Sequence, residues 1–128
     1  MLMENNHSEP EIDFNHLNQY VGGDVSLTKE VFSLFKNQVD MWSKALVADA
    51  DDEVWAGLTH SLMGTAKAVG AIKLAKVCED SEKLVGENAR LAARQVAVDK
   101  LEHRISQAMA EIQRWEYKQK LNEMRSSP

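Results

Sequence analysis

Apolar residues recur at helical spacing over long, uninterrupted parts of this chain, and this pattern restricts the fold more than any other feature. The clearest case is residues 25–48, where hydrophobic side chains return every three or four positions. These side chains are Leu27, Val31, Leu34, Phe35, Val39, Trp42, Leu46 and Val47. The whole chain of 128 residues has only two prolines and six glycines, so few positions interrupt such segments. The pattern therefore predicts long amphipathic helices in preference to strands.

Turn and cap residues indicate where the first three helices begin and end. A short first helix from Ile12 is expected to stop at the Gly22-Gly23 pair. Asp24 or Ser26 is expected to cap the second helix, because both side chains accept hydrogen bonds from free backbone N–H groups. Aspartates between positions 49 and 53 are expected to cap a third helix that runs to about residue 69.

Two further helices follow a turn or bend at Gly70. The fourth, which carries Cys78 on an apolar seam, is expected to end near Gly86, and Asn88 is expected to cap the fifth. The fifth has apolar residues at heptad-like spacing, namely Leu91, Val98, Leu101, Ile105, Ala108, Ile112 and Trp115. Several long helices with short connections predict an all-α fold, an antiparallel four-helix bundle with a short extra N-terminal helix.

The length allows one domain with one hydrophobic core. We expect residues 12–115 to form it, with residues 1–11 as a flexible leader and residues 116–128 as a polar helical extension or tail. Cys78 is the only cysteine, so an intramolecular disulfide is excluded, and we expect it in the core. Trp42, Trp55 and Trp115 lie on the predicted inner stripes and are expected to be packing residues.

Composition and charge exclude several classes of function. The formal net charge is −5, and basic residues near the C-terminus are interspersed with acids, so nucleic-acid binding is not expected. No stretch approaches the roughly 18 apolar residues of a membrane span, and the opening residues do not resemble a targeting signal. We therefore expect a cytoplasmic protein without membrane contact. His7, His16 and His103 have no second ligand at helical spacing, so no metal site is expected.

His60 is the main functional candidate, because the helical wheel places it opposite the core. With about 100° per residue, the bulky residues Trp55, Leu58, Leu62 and Val69 fall on the far side of the third helix. The residues on the side of His60 are Glu53, Ala56, Gly57, Met63, Gly64 and Lys67. A glycine inside a helix costs about 1 kcal/mol relative to alanine, so two glycines beside an exposed histidine require a reason. The simplest reason is that another molecule approaches the imidazole closely.

The residues after His60 resemble the signature of histidine-containing phosphotransfer (HPt) domains of two-component phosphorelays. The signature in this chain reads His60-Ser61-Leu62-Met63-Gly64-Thr65-Ala66, then Gly70-Ala71, Leu74, Cys78 and Ser81-Glu82. The resemblance extends from about Ile12 to Trp115 and includes the Gly22-Gly23-Asp24 turn. A match in spacing over some two dozen residues is far more specific than a lone histidine.

The resemblance implies that His60 accepts a phosphoryl group on Nε2 from the aspartyl phosphate of one receiver domain and passes it to another. Gly64 corresponds to the residue that leaves clearance for the receiver, and Ala56, Gly57, Met63 and Lys67 would share the docking face. Met63 stands where the family usually has a lysine that complements the phosphoryl charge. Our hypothesis is that Lys67, about two turns along the same face, takes its place; an ordinary solvated lysine is the alternative. For Met63, the alternatives are a plain exposed residue and an adaptable apolar contact for the receiver.

The implied protein is a phosphocarrier without kinase activity of its own, since no glycine-rich phosphate loop follows a strand. Its expected partners are response-regulator receiver domains, those of a hybrid histidine kinase and of a downstream regulator. Mg²⁺ is expected in the receiver and no cofactor in this chain, which we expect to be monomeric. Two alternatives remain open: a bundle that binds a receiver without being phosphorylated, and a structural helical adaptor.

Overall fold

The second helix illustrates how the apolar pattern becomes a buried face. In the computed structural model, which describes residues 9–126, this helix, α2, spans Val25–Ala45. Its buried residues are Thr28, Phe32, Phe35 and Val39. Leu27 and Leu34 are exposed, so their predicted place on the buried stripe was wrong. Apolar residues occupy two sides of α2, and packing against the other helices covers only the side that carries the two phenylalanines.

Helices account for all regular structure in the described residues. A short helix α1 spans Phe14–Val21, α3 spans Asp52–Ala68, α4 spans Ile72–Glu82, and α5 spans Leu91–Ser126, with a 3-10 turn at Gly86–Asn88. Helices α2 to α5 form the predicted antiparallel four-helix bundle, and α1 is the extra N-terminal helix. Two ion pairs show that α2 and α5 run in opposite directions: Lys36 pairs with Glu116 at 2.8 Å, and Lys29 pairs with Glu123 at 2.9 Å. The all-α prediction is confirmed.

The chain before α1 is fastened to the turn between α3 and α4. The backbone N–H of Asp13 donates to the carbonyl of Gly70 at 2.8 Å, and Ile12 is fully buried. Gly70 has a φ of +80°, and a Cβ at this position would lie 2.6 Å from the Asp13 carbonyl oxygen. Only glycine meets both conditions without strain. Glu11, the last residue of the predicted leader, is also held, because its carboxylate pairs with Lys73 and Arg104; residues 1–8 lie outside the described residues.

Two of the three predicted caps do not form. Asp24 caps α2 as expected, with Oδ1 accepting from the N–H of Leu27 at 3.0 Å. Asp51 holds the N-cap position of α3, but its side chain accepts no hydrogen bond there. Asn88 lies in the 3-10 turn, so it does not cap α5, which begins three residues later. The predicted roles of Asn88 and of the aspartates before α3 were therefore wrong.

Helix ends also differ from the prediction where tertiary contacts redirect the chain. Helix α2 stops at Ala45, because Leu46 leaves the helical conformation and is buried, while Val47 faces solvent. Helix α4 ends at Glu82, four residues before the predicted stop at Gly86, because Val85 adopts an extended backbone. Beyond Trp115, α5 continues to Ser126, which corresponds to the helical alternative expected for residues 116–128. Its first residue, Leu91, was expected on the apolar seam but is exposed and not part of the core. Within residues 9–126, no helix is long and apolar enough to cross a bilayer.

The core lies among α2, α3, α4 and α5, with α1 closing one end. Trp55 and Cys78 are fully buried in it, and Trp42 and Trp115 are half-buried against it, so the predicted packing roles are confirmed. Arg94, at the start of α5, is buried and makes hydrogen bonds to the carbonyls of Ala48, Ala50 and Leu84. Arg94 also pairs with the Asp52 carboxylate at 2.7 Å. This cation therefore joins the start of α5 to the chain before α3 and after α4.

Candidate functional site

His60 projects from the middle of α3 on the side away from the core. The inner side of α3 is formed by the buried residues Trp55, Thr59, Leu62 and Ala66. The His60 side chain is 69% exposed. A side chain this exposed can react with a group on another molecule that approaches from solution. The geometry predicted from the helical wheel is therefore present.

The carboxylate of Glu82, the last residue of α4, faces the His60 ring. Its Oε1 lies 3.3 Å from His60 Nδ1. A carboxylate oxygen only accepts, so the neutral ring that fits this contact carries its proton on Nδ1. The lone pair is then on Nε2, the nitrogen that points away from Glu82. Glu82 belongs to the family signature in the sequence, but no local spacing reveals that its side chain meets His60.

The two glycines on the His60 face have open space around them. A Cβ built on Gly57 or Gly64 would meet nothing within 4 Å. Both residues have ordinary negative φ angles, so the backbone does not require glycine either. Alanine would stabilise the helix by about 1 kcal/mol at each position. Nothing inside the described residues requires glycine at either position.

The remaining predicted site residues lie on the same helix but in different surroundings. Ala56 and Met63 are half-buried, and Met63 packs against the core, so only part of its side chain is available to a partner. Lys67 is exposed, and its ammonium group makes no ion pair within residues 9–126. The Lys67 carbonyl oxygen lies 3.2 Å from His16 Nε2, which ties α1 to the last turn of α3.

A groove of about 400 Å³ between α2 and α3 borders this face. Its lining is mostly apolar and includes Gly64 and Ser61, the residue next to His60. Inside the groove, the Thr65 hydroxyl donates to Gln38 Oε1 at 2.8 Å. Leu34, which lines the groove, is 57% exposed, and Met41 on the same helix is 67% exposed. Leu34 was expected in the core, so its exposure on this side of α2 was not predicted, although part of the second helix was expected to join the His60 face.

Cys78 does not contribute chemistry to this face. It is fully buried, and burial raises the pKa of its thiol to about 12, with the nearby Glu82 charge adding to the increase and a backbone hydrogen bond opposing it. Such a thiol stays protonated and unreactive at neutral pH. Among residues 9–126, no group of three or more His, Cys, Asp or Glu side chains is placed to hold a metal ion.

Comparisons with known proteins bear on the family and the fold. The family model described as "Hpt domain" matches residues 30–115. Among solved structures, the chain is similar to the histidine phosphotransferase ShpA from Caulobacter crescentus, with 25% sequence identity and a TM-score of 0.71. That similarity covers 89% of this chain and 98% of the ShpA chain. A search of curated proteins finds no match.

Proposed function

Because this chain belongs to the Hpt domain family, we propose that His60 accepts a phosphoryl group from the aspartyl phosphate of one receiver domain and passes it to the aspartate of another. One observation carries the proposal: an exposed imidazole has Nδ1 against a carboxylate, Nε2 free, and a glycine with open space one turn further along α3. An imidazole with Nδ1 engaged, Nε2 accessible and open space beside the ring suits direct transfer of a phosphoryl group between two proteins.

The proposed transfer uses the Nε2 lone pair of neutral His60. As the N–P bond forms, the bond between phosphorus and the aspartyl oxygen breaks, and its electron pair returns to the receiver's carboxylate. The proton stays on Nδ1, so the phosphorylated ring carries positive charge, which the Glu82 carboxylate 3.3 Å away stabilises. The reverse sequence delivers the phosphoryl group to the next aspartate. In-line positioning and cations around the equatorial oxygens provide most of the stabilisation, and we expect the receiver to supply them, including Mg²⁺.

The proposed docking surface combines the His60 face with the groove between α2 and α3. Its α3 residues are Ala56, Gly57, Met63, Gly64 and Lys67, as the sequence analysis proposed. On α2, exposed Leu34 lines the groove, and exposed Met41 lies about two turns further along the same helix. Exposed large apolar side chains next to a groove are typical of surfaces that bind another protein. A receiver domain docked here would cover both the apolar groove and the imidazole.

The phosphoryl environment in this chain is poor in positive charge. Met63 occupies the place of the family lysine, and within residues 9–126 the hydrogen-bond partner of the His60 ring is the Glu82 carboxylate, not a lysine or arginine. Lys67 is the cation on the same face, and we keep the hypothesis that it reaches towards the phosphoryl group. Unchanged phosphoryl uptake and release in Lys67→Ala would overturn this hypothesis and leave the role of His60 intact.

Incubation with a phosphorylated receiver domain tests the proposal. We expect an acid-labile, base-stable label on this chain, lost in His60→Gln and retained in His103→Gln, a matched change at another exposed histidine. Binding of the receiver without any label would favour the non-phosphorylated binding protein. Neither binding nor label from any receiver of the source organism would favour the structural adaptor.

The proposal also covers the setting of the reaction. We expect no label from ATP alone, because a phosphocarrier depends on a separate kinase. The partners would be the receiver of a hybrid histidine kinase and that of a downstream response regulator, meeting this chain as a monomer in the cytoplasm. Purified chain incubated with labelled ATP tests the first point, and autophosphorylation of the chain would contradict it.

A further inference from the structure

Trp55 donates a buried hydrogen bond from α3 to α4. Its indole Nε1–H lies 2.7 Å from the carbonyl oxygen of Ser81, and both residues are almost completely buried. A tryptophan in a core needs a partner for this N–H, but many acceptors would satisfy that need. The acceptor used here is the carbonyl immediately before Glu82, the residue that faces His60.

The Ser81 carbonyl lies in the last turn of α4, where helix carbonyls lack their usual partners. The backbone N–H groups of Lys83 and Leu84 turn back towards the same oxygen, the latter at 3.1 Å. The Ser81 hydroxyl adds a hydrogen bond to the Val77 carbonyl at 2.6 Å. The backbone N–H groups of Lys83 and Leu84 and the indole N–H of Trp55 therefore converge on the Ser81 carbonyl oxygen. Within the described residues, the Trp55 indole is the only side chain from another helix that reaches this oxygen.

Trp55 is itself held in place from the other side. The guanidinium carbon of Arg94 lies 4.7 Å from the centre of the indole ring, within range of a cation–π interaction. Arg94 also donates to the Leu84 carbonyl at 2.9 Å, just beyond the end of α4. Arg94 thus secures both the donor ring and the chain segment after its acceptor. A ring packed in this way has little freedom to follow α4 if the helix shifts.

We propose that Trp55 is a positioning residue for the phosphoacceptor. Its indole N–H sets how far α4 extends along α3, and this places the Glu82 carboxylate beside His60 Nδ1. The inference rests on the proposed phosphotransfer function of His60 and assigns Trp55 an indirect role at that site. Trp55 never touches the imidazole, since it lies on the buried side of α3. Its effect passes through Ser81 to Glu82.

Replacing the indole N–H without removing the ring tests this inference. Trp55→Phe keeps an aromatic ring beneath Arg94. Benzothienylalanine at position 55 keeps the bicyclic shape and has sulfur in place of the N–H. Because the second variant preserves the packing of the ring, we expect it to fold. Nitrogen NMR of the neutral His60 ring measures the population of the Nδ1–H tautomer directly. We expect its population to fall in both variants. Trp115→Phe, the same change at a tryptophan packed against Phe32, should leave it unchanged.

Phosphoryl transfer from a receiver supplies the second readout. We expect Trp55→Phe to slow uptake about threefold to tenfold, the size expected from loss of one hydrogen bond. In a Glu82→Ala background it should slow uptake no further, because its effect acts through that carboxylate. An unchanged tautomer population, or equal slowing in both backgrounds, would overturn the inference. If the wild-type chain takes no label, the proposed function fails, whereas the tautomer measurement still decides whether Trp55 positions Glu82.

Discussion

Nδ1 of His60 and Oε1 of Glu82 lie 3.3 Å apart, although the two residues are separated by 22 positions and lie on different helices. The contact connects the middle of α3 with the last residue of α4. It leaves Nε2 as the nitrogen with the lone pair, and it places a negative charge next to a ring that would become positive in the proposed phosphorylation. In the proposed reaction, the carboxylate would therefore favour both the reactive tautomer and the phosphorylated state.

Removal of the Glu82 carboxylate should slow phosphoryl uptake by His60. Because His60 is largely exposed, solvent screens the interaction, and we expect a decrease of about tenfold or less in Glu82→Ala. Glu82→Gln keeps an accepting oxygen but loses the charge, so its decrease should be smaller. Single-turnover transfer from a labelled receiver provides the measurement. A rate in Glu82→Ala equal to that of the wild type would contradict the assigned role.

Substitution of Gly64 by alanine should change stability and function in opposite directions. The added methyl meets nothing within 4 Å in this chain, so Gly64→Ala should raise the free energy of unfolding by about 1 kcal/mol. The same methyl should slow transfer about tenfold, because extra volume at a packed interface costs on the order of 1–3 kcal/mol. Urea unfolding and receiver-dependent labelling measure the two effects.

A control for Gly64→Ala is available on α5. Ser106→Ala, at an exposed position of α5, improves helix propensity on a different helix from that of His60. It should stabilise the fold slightly and leave transfer unchanged. If Gly64→Ala also transfers at the wild-type rate, then clearance at Gly64 is not needed and the proposed docking geometry is wrong.

Replacement of Arg94 should destabilise the whole bundle. Arg94→Met leaves the carbonyls of Ala48, Ala50 and Leu84 without their donor and removes the cation over Trp55. We expect a loss of about 3 kcal/mol in the free energy of unfolding. Arg90→Met, at an exposed position one turn earlier, should cost no more than about 0.5 kcal/mol. Similar urea midpoints for the two variants would show that the buried network contributes little.

The buried thiol of Cys78 should make stability fall at alkaline pH. Burial raises its pKa from 9.0 to about 12 in the folded chain, so between these values the unfolded chain holds fewer protons than the folded one. The free energy of unfolding therefore decreases as pH rises through this window, by about 1 kcal/mol between pH 8 and pH 10. Cys78→Ala should show a shallower decrease, and identical pH profiles for the two chains would refute the prediction.

The helices themselves could be predicted because their signals are local. Apolar spacing along residues 25–48 and the Gly22-Gly23 stop depend only on neighbours in sequence, and Asp24 caps α2 as its position implied. The exposure of His60 was predictable for the same reason, since every residue around it on the wheel belongs to one helix. Gly64 could be identified as unusual because a helical glycine has a known cost.

Long-range contacts decided the features that the sequence analysis missed. Leu34 was assigned to the core, yet packing covers the other side of α2 and leaves Leu34 on the surface. Asp52 lies among the aspartates expected to cap α3, but its carboxylate pairs with Arg94 and accepts from the Gly86 N–H at 2.9 Å. Arg94 and Gly86, from distant parts of the chain, thus engage a carboxylate that its position in sequence had assigned to a cap. Local patterns cannot rank such alternatives.

The sequence by itself determined that this chain forms amphipathic helices and that His60 faces away from the core beside an unexpected glycine, because helical periodicity is a property of consecutive residues. Only the tertiary structure decided which nitrogen of His60 is free, since that depends on Glu82. The position of Glu82 depends in turn on where α4 ends against α3, where the indole of Trp55 reaches the Ser81 carbonyl. Contacts between separate helices are set by packing of the whole core, and no spacing within one helix encodes them.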